Sequence, residues 1–266
     1  EDIEDIQDIQ DIQDIKELEE TNPEIIIENK NYEERIKEAL ILLENNKEKY
    51  LTPEALETYS PKFLNILGNL TNDSYNGLHL IYSQFRTLEG IGILSLILKA
   101  NGFAEFKITK DSERKLDIAI EDMGKPKFVL YTGTETVEEK EIMRNIFNSN
   151  WSVLPTSLRE ELEQISSNNL FGEIIKIFMI TASGAEGISL SNVRYVHITE
   201  PYWHPVRIEQ VVGRARRICS HKDLPKELQT VKVFLYLMKF SEKQLKSGDA
   251  LELIKNDESK LDSTKI

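Results

Sequence analysis

Between residues 78 and 237 the chain alternates short apolar runs with stretches of amphipathic, helical spacing. This rhythm limits the possible folds more than any other feature. The runs at 78–82, 104–108, 127–131, 176–180, 193–198 and 231–237 are the length of strands and rich in Val, Ile, Leu, Phe and Tyr. Between them, 88–101, 135–148 and 206–217 carry apolar residues at helical spacing. Strands that alternate with helices of this length predict βαβ units, hence an α/β fold with a parallel sheet covered on both faces. In such a sheet ligands gather outside the carboxyl ends of the strands. Several runs end in small or polar residues there: Ser83-Gln84, Thr132-Gly133, Thr181-Ala182-Ser183-Gly184 and Thr199-Glu200-Pro201. Loops are polar for other reasons too, so each of these is a candidate and no more.

Upstream, helical spacing begins with Ile36, Ala39, Leu40, Leu42 and Leu43, and two more helix starts follow at Thr52-Pro53 and Ser60-Pro61. Each pairs a hydroxyl cap with proline at the first helical position. The first twenty residues read differently. They hold ten acids and one lysine, a net of −9 against −13 for the whole chain. From Asp2 to Lys16 a three-residue unit repeats, Asp-Ile followed by Glu, Gln or Lys. A period of three drifts around a helix and builds no apolar stripe, so a disordered or weakly helical acidic tail is expected. A segment that binds a basic partner is the alternative. Because the acidity is concentrated in this tail, it does not exclude nucleic acid as a partner of the rest.

The single Cys219 allows no disulfide within the chain, and no Cys/His spacing suits zinc. An intracellular, reducing environment is expected. The longest apolar stretch, 91–98, is broken by Gly92 and Ser95, so a soluble protein with no membrane span or signal peptide is expected. A first residue of Glu rather than Met suggests a piece of a longer chain.

The most informative segment reads ITASGAEGISLSNVRYVHITEPYWHPVRIEQVVGRARRICSH, residues 180–221. A strand leads into a turn whose Gly184 and Gly187 would let backbone amides approach an anion closely. A second strand follows, then Trp203 and Pro205 open a helix bearing Gln210, Gly213, Arg214, Arg216 and Arg217. The i, i+4, i+7 spacing of Gln210, Arg214 and Arg217 places them on one helical face. Such a face is either a solvated basic surface or a phosphate clamp, since guanidinium groups stay charged and fork onto phosphate oxygens. The strand, glycine turn and Trp-Pro entry ahead of it favour the clamp.

On these residues the chain resembles the C-terminal lobe of superfamily 2 helicases. Thr181 to Leu190 is similar to motif V, and Gln210 to Arg217, with Gln-x-x-Gly-Arg-x-x-Arg, to motif VI. Trp203, Pro205, Gln210, Arg214, Arg217 and Ile218 match the Swi/Snf-type pattern, while LHLIYSQFR, residues 78–86, resembles motif IV. Tyr131-Thr132-Gly133 with its following helix resembles the next strand–helix unit, and Ser60 to Leu67, with Lys62, the segment that enters this lobe. The wording is most similar to helicases of large nucleocytoplasmic DNA viruses, which would place the protein in a host cytoplasmic viral factory or in the virion. Departures from the Swi/Snf pattern are His204 for Asn, Ile208 for an acid, and Cys219-Ser220 for Gly-Gln.

The resemblance implies a RecA-like parallel sheet sandwiched by helices over 59–240, after an acidic tail at 1–30 and a helical lead-in at 31–58, with a polar helical extension at 241–266. Arg214 and Arg217 would be arginine fingers reaching the γ-phosphate of ATP, with Gln210 orienting nucleotide or coupling lobes. Gly187, Ser189 and Gly213 would lie near the nucleotide. Thr181, Ser183, Gly184, Ser83, Arg86 and Gly133 would contact the backbone of DNA or RNA, which suits a motor that must step along any sequence. ATP and Mg²⁺ would be held mainly by the first RecA-like lobe. Gly124-Lys125 is followed by Pro126 and lacks the upstream glycine of a phosphate loop, and Asp257-Glu258 sits in a polar tail rather than after a strand. No metal ligand is therefore assigned here, and the chain alone would not turn over ATP. The rival reading is a helicase-like lobe kept only for binding. A dinucleotide-binding domain would need Gly-x-Gly-x-x-Gly before a helix, whereas Gly184 to Gly187 runs into a strand. Among other residues, Trp203 would stack on a base or pack, His197 would be a core residue, Cys219 a small buried hydrophobe, and Glu186 and Glu200 structural or coupling groups.

Overall fold

The computed structural model describes residues 23–87, 90–108, 122–132, 135–182, 187–201 and 205–239, with side chains from residue 34 onward. Among these, six strands form one sheet in the order β2-β3-β4-β1-β5-β6, and every pairing is parallel. They are β1 (Leu78–Tyr82), β2 (Ala104–Glu105), β3 (Lys127–Tyr131), β4 (Ile177–Ile180), β5 (Val193–Ile198) and β6 (Lys232–Leu235). The α/β reading holds: the chain forms a parallel sheet with a helix-covered core on each face. The acidic tail and residues 241–266 lie outside the described residues.

Coverage on both faces explains the continuous apolar runs. All five residues of β1 are buried, with Leu78, Leu80 and Tyr82 turned to one core and Ile81 to the other. The first core also takes residues from α5 (Val137–Phe147), α6 (Thr156–Ile165) and α7 (Pro205–Ala215). The second is covered by α3 (Pro61–Thr71) and α4 (Ile91–Ala100), and by Leu51 and Leu56 beside and within α2 (Pro53–Tyr59). Leu43 of α1 (Pro23–Asn45) also packs there, so the lead-in helices share the core of the lobe they precede. Leu42 of α1, by contrast, faces outward.

Local signals fix the starts of these helices. Thr52 accepts a hydrogen bond from Ala55 N at 3.3 Å ahead of Pro53. Thr136 and Glu139 form a capping box at α5, each satisfying the other's backbone N–H. Thr136→Ala is expected to cost about 1 kcal/mol, read as a lower urea midpoint at unchanged slope. Helix α4 begins at residue 91, directly after a close backbone approach at Gly90. A Cβ on Gly90 would lie 2.1 Å from Phe85 O, so only glycine permits that approach. At the edge, the 104–108 run forms just two strand residues, with Phe106 N adding one bond to Phe128 O at 2.8 Å.

On the second face, two imidazoles complete a one-way hydrogen-bond chain. Tyr75 O can only accept, so His79 Nε2 donates to it (3.1 Å), leaving Nδ1 to accept from His197 Nε2 (3.0 Å). His197 Nδ1 in turn accepts from the Tyr236 hydroxyl (2.7 Å), whose oxygen accepts from Asn69 Nδ2 (2.9 Å). Every polar atom is satisfied only while both rings are neutral. Burial, aided by nearby Lys176, pushes the His79 pKa down to about 3; burial and then His79 hold His197 well below its usual value. As pH falls the unfolded chain therefore binds protons first. The pair's contribution to stability is complete above about pH 6.5, the unfolded value, and is lost as pH falls from there toward about 3. Both rings are expected to keep the NMR shifts of neutral imidazole from about pH 8 to about pH 5, where a solvated histidine titrates.

Candidate functional site

All strands being parallel, their carboxyl ends share one rim. Thr132 follows β3, Thr181 follows β4, Ser83 follows β1 and Thr199-Glu200 follow β5, and these four strands are neighbours. Main-chain bonds stitch the rim together: Ser83 N to Ile180 O at 3.1 Å and Thr199 N to Tyr82 O at 3.0 Å. Thr181 Oγ1 approaches Thr132 O at 3.4 Å. The rim thus gathers residues that sequence reading took from separate segments.

Burial divides the expected nucleic-acid residues. Arg86 is exposed on the loop after β1, a loop held by Ile91 N to Phe85 O (3.0 Å) and Gly92 N to Arg86 O (3.0 Å). Ser83, expected to touch the backbone, is fully buried. Its hydroxyl donates to Glu200 Oε2 at 2.7 Å and accepts from Phe85 N at 3.1 Å. Thr181 is also buried, at 4% exposure. Both lie at the base of the rim, among the buried residues. Ser183, Gly184 and Gly133 lie outside the described residues, as do Glu186 and Trp203.

The arginine helix departs from expectation at its end. Helix α7 stops at Ala215, so Arg217 is not on its face with Gln210 and Arg214. The last turn is captured: Leu190 N donates to Arg214 O at 3.2 Å, and Ser220 Oγ to Ala215 O at 3.2 Å. With those carbonyls taken, the chain turns away. Arg217 then bends back onto the 187–190 segment, donating to Ile188 O at 3.0 Å and to the Ser189 hydroxyl. Asn148, at the end of α5, grips the same segment through Ser189 O (2.9 Å) and Ser191 N (2.8 Å). Gly187 opens it with φ +67°, a left-handed turn suited to glycine.

Arg214 is different. It is half-buried, its Nε is shielded, and no hydrogen bond or ion pair from the described residues holds its guanidinium. Gln210 is exposed one turn earlier, and Gly213 is half-buried between them. A shielded, uncommitted guanidinium fits the oxygens of a phosphate. Among the described residues no group of three or more His, Cys, Asp or Glu could hold a metal, and no helix is long and apolar enough to cross a membrane.

Cys219 is exposed with φ +59°, not buried as its residue type suggested: the turn that ends the arginine segment lifts it outward. His197 is a core residue, as expected. Glu200 and Lys62 form an ion pair at 2.9 Å across the rim. Lys62 could be found as part of the segment entering the lobe, but nothing local in the sequence announces its partner.

Residues 114–219 match the family described as helicase conserved C-terminal domain. Over those residues the chain is similar to helicase C-terminal domains. The chain is 33% identical over 187 residues to a protein of Acanthamoeba polyphaga mimivirus named as ATP-dependent RNA helicase R563, covering 70% of this chain and 27% of the relative. It is 30% identical over 214 residues to the termination factor NPH-I homolog of African swine fever virus, covering 72% and 28%. The chain thus spans just over a quarter of these relatives' length. A solved structure, the C-terminal part of the Fun30 ATPase domain, aligns with TM-score 0.42 and 17% identity, over 84% of this chain and 62% of that one.

Proposed function

We propose that this chain is the second motor lobe of an ATP-dependent superfamily 2 helicase or translocase, supplying an arginine finger to ATP held by a first RecA-like lobe. The observation that carries the proposal is Arg214, a shielded guanidinium without a partner among the described residues, on a helix bonded directly to the 187–190 segment. In a closed two-lobe state its fork meets the γ-phosphate and stabilises the charge that spreads over the transferring phosphoryl group. Mg²⁺ would be held with ATP by the first lobe, where it would supply neutralisation of phosphate charge. This lobe's own part is to place Arg214, with Gln210, Gly213, Gly187 and Ser189 lining the nucleotide side. Arg217 braces 187–190 and reaches phosphate only by releasing Ile188 and Ser189.

On the rim, Arg86 and the turns containing Gly133, Ser183 and Gly184 contact the sugar–phosphate backbone of DNA or RNA, which holds a strand without reading its sequence. Relatives named as an RNA helicase and as a termination factor favour a motor that acts on transcripts or on the template that makes them. The test is ATP hydrolysis by the polypeptide containing both lobes, with and without added nucleic acid, against each lobe alone. Turnover is expected only when the lobes are together, and to rise with nucleic acid. Full turnover by the first lobe alone would overturn the proposal and leave this lobe a binding module.

A further inference from the structure

Glu200 is a heavily engaged carboxylate on the rim. Its Oε1 accepts from Lys62 Nζ at 2.9 Å; its Oε2 accepts from Ser83 Oγ at 2.7 Å, Gln84 N at 3.2 Å and Thr199 Oγ1 at 2.6 Å. The side chains of Lys62 and Glu200 are only 18% and 16% exposed. Among the described residues, the pair of Arg159 with Glu163 stays within α6, and that of Lys99 with Glu105 joins α4 to β2 only six residues along the chain. Glu200 instead joins three elements: the start of α3, the turn after β1 and the end of β5.

Two of those elements lead to the two working surfaces. The turn that begins with Ser83 and Gln84 continues to exposed Arg86, and the carbonyls of Phe85 and Arg86 are bonded to the start of α4. Beyond Glu200 only residues 201–204 separate β5 from α7, which carries Arg214. A shift of the Arg86 turn pulls on Ser83 and Gln84 and through their bonds on Glu200, which precedes the first residue of the arginine helix, Pro205, by five positions in the chain. Charge-assisted bonds of this kind transmit displacement because a half-buried carboxylate loses much by releasing its donors.

We propose that Glu200, with Lys62 as its counter-ion, is the positioning residue that couples occupancy of the nucleic-acid turn at Arg86 to placement of Arg214. This rests on the function proposed above and adds how the two surfaces communicate. Coupling between sites needs an element that both bias, and the shared carboxylate is that element.

The experiment uses the polypeptide with both lobes and measures ATP hydrolysis with no nucleic acid and over a titration of a mixed-sequence oligonucleotide. Glu200→Gln keeps the shape and removes the charge; Lys62→Met removes one donor and guards against misfolding of the first variant. Both are expected to lose about 10-fold of the nucleic-acid stimulation while the unstimulated rate and the half-saturating oligonucleotide concentration stay within about 2-fold of the parent. Undiminished stimulation in both variants, or an equal fall of stimulated and unstimulated rates, overturns the coupling. Arg214→Ala, run alongside, separates the two ideas. If it leaves both rates intact, the finger reading falls; if it silences both while Glu200→Gln keeps full stimulation, only the coupling falls.

Discussion

Arg214→Ala is expected to lower nucleic-acid-stimulated ATP hydrolysis by about 10³-fold or more in the two-lobe polypeptide, the range an arginine finger supplies. Its place in the lobe argues for an effect confined to chemistry. The guanidinium makes no hydrogen bond or ion pair to described residues, so its removal leaves no internal partner stranded. Alanine also favours a helix, and Leu190 bonds to the backbone of residue 214, not to its side chain. Nucleotide affinity and urea midpoint should therefore stay near the parent's. Arg214→Lys should recover little, because an ammonium cannot reproduce a fork. Arg216→Ala, an exposed neighbour, serves as control and should change the rate by no more than about 2-fold, as surface substitutions do. Arg217→Ala should act on two levels, since Arg217 bonds Ile188 and Ser189: hydrolysis falls and the 187–190 segment loosens. A near-normal rate in Arg214→Ala would leave the lobe without its finger.

Asn169→Ala is expected to destabilise the lobe by about 3–5 kcal/mol, read from the urea midpoint at unchanged slope. Asn169 is fully buried and uses its whole amide. Nδ2 donates to Phe147 O at 3.1 Å and Ile175 O at 3.0 Å, while Oδ1 accepts from Ile174 N at 2.8 Å and Ile175 N at 2.9 Å. The side chain therefore replaces secondary structure where α5 ends and the approach to β4 begins. Alanine strips several buried backbone groups of partners at once, each costing about 1–3 kcal/mol before water or local shifts compensate. Asn169→Asp should be no better, because two carbonyls would then face a carboxylate. A loss below about 1 kcal/mol would mean that water replaces the amide without penalty.

The expected strands and helices were legible because a parallel sheet buried on both faces writes itself as unbroken apolar runs, here LHLIY and IFMI. The ends were less so, since they depend on contacts from elsewhere: α7 stops at Ala215 because Leu190 and Ser220 take its last carbonyls, and the spacing that put Arg217 on its face carries no trace of them. Motif residues read as ligand contacts differ in burial. Arg86 and Arg214 present uncommitted or exposed groups, whereas Ser83 and Thr181 are interior, and only the strand neighbours decide which is which. The Lys62–Glu200 pair joins residues 138 positions apart, and Asn169 serves two elements at once. Periodicity is local, so such pairings leave no mark on it.

The strand order also sets a timetable for synthesis. Strand β1 emerges first of the six, yet in the sheet it lies between β4 and β5 and pairs with neither β2 nor β3. Its contacts close very long loops; His79 and His197, for example, are 118 residues apart. Until β4 and β5 leave the ribosome, the apolar run LHLIY has both edges open and two greasy faces, and it is a natural substrate for chaperones that shield nascent chains. Pauses in translation between β3 and β4 would lengthen that exposure, so the yield of soluble protein should depend on how quickly the ribosome crosses this interval.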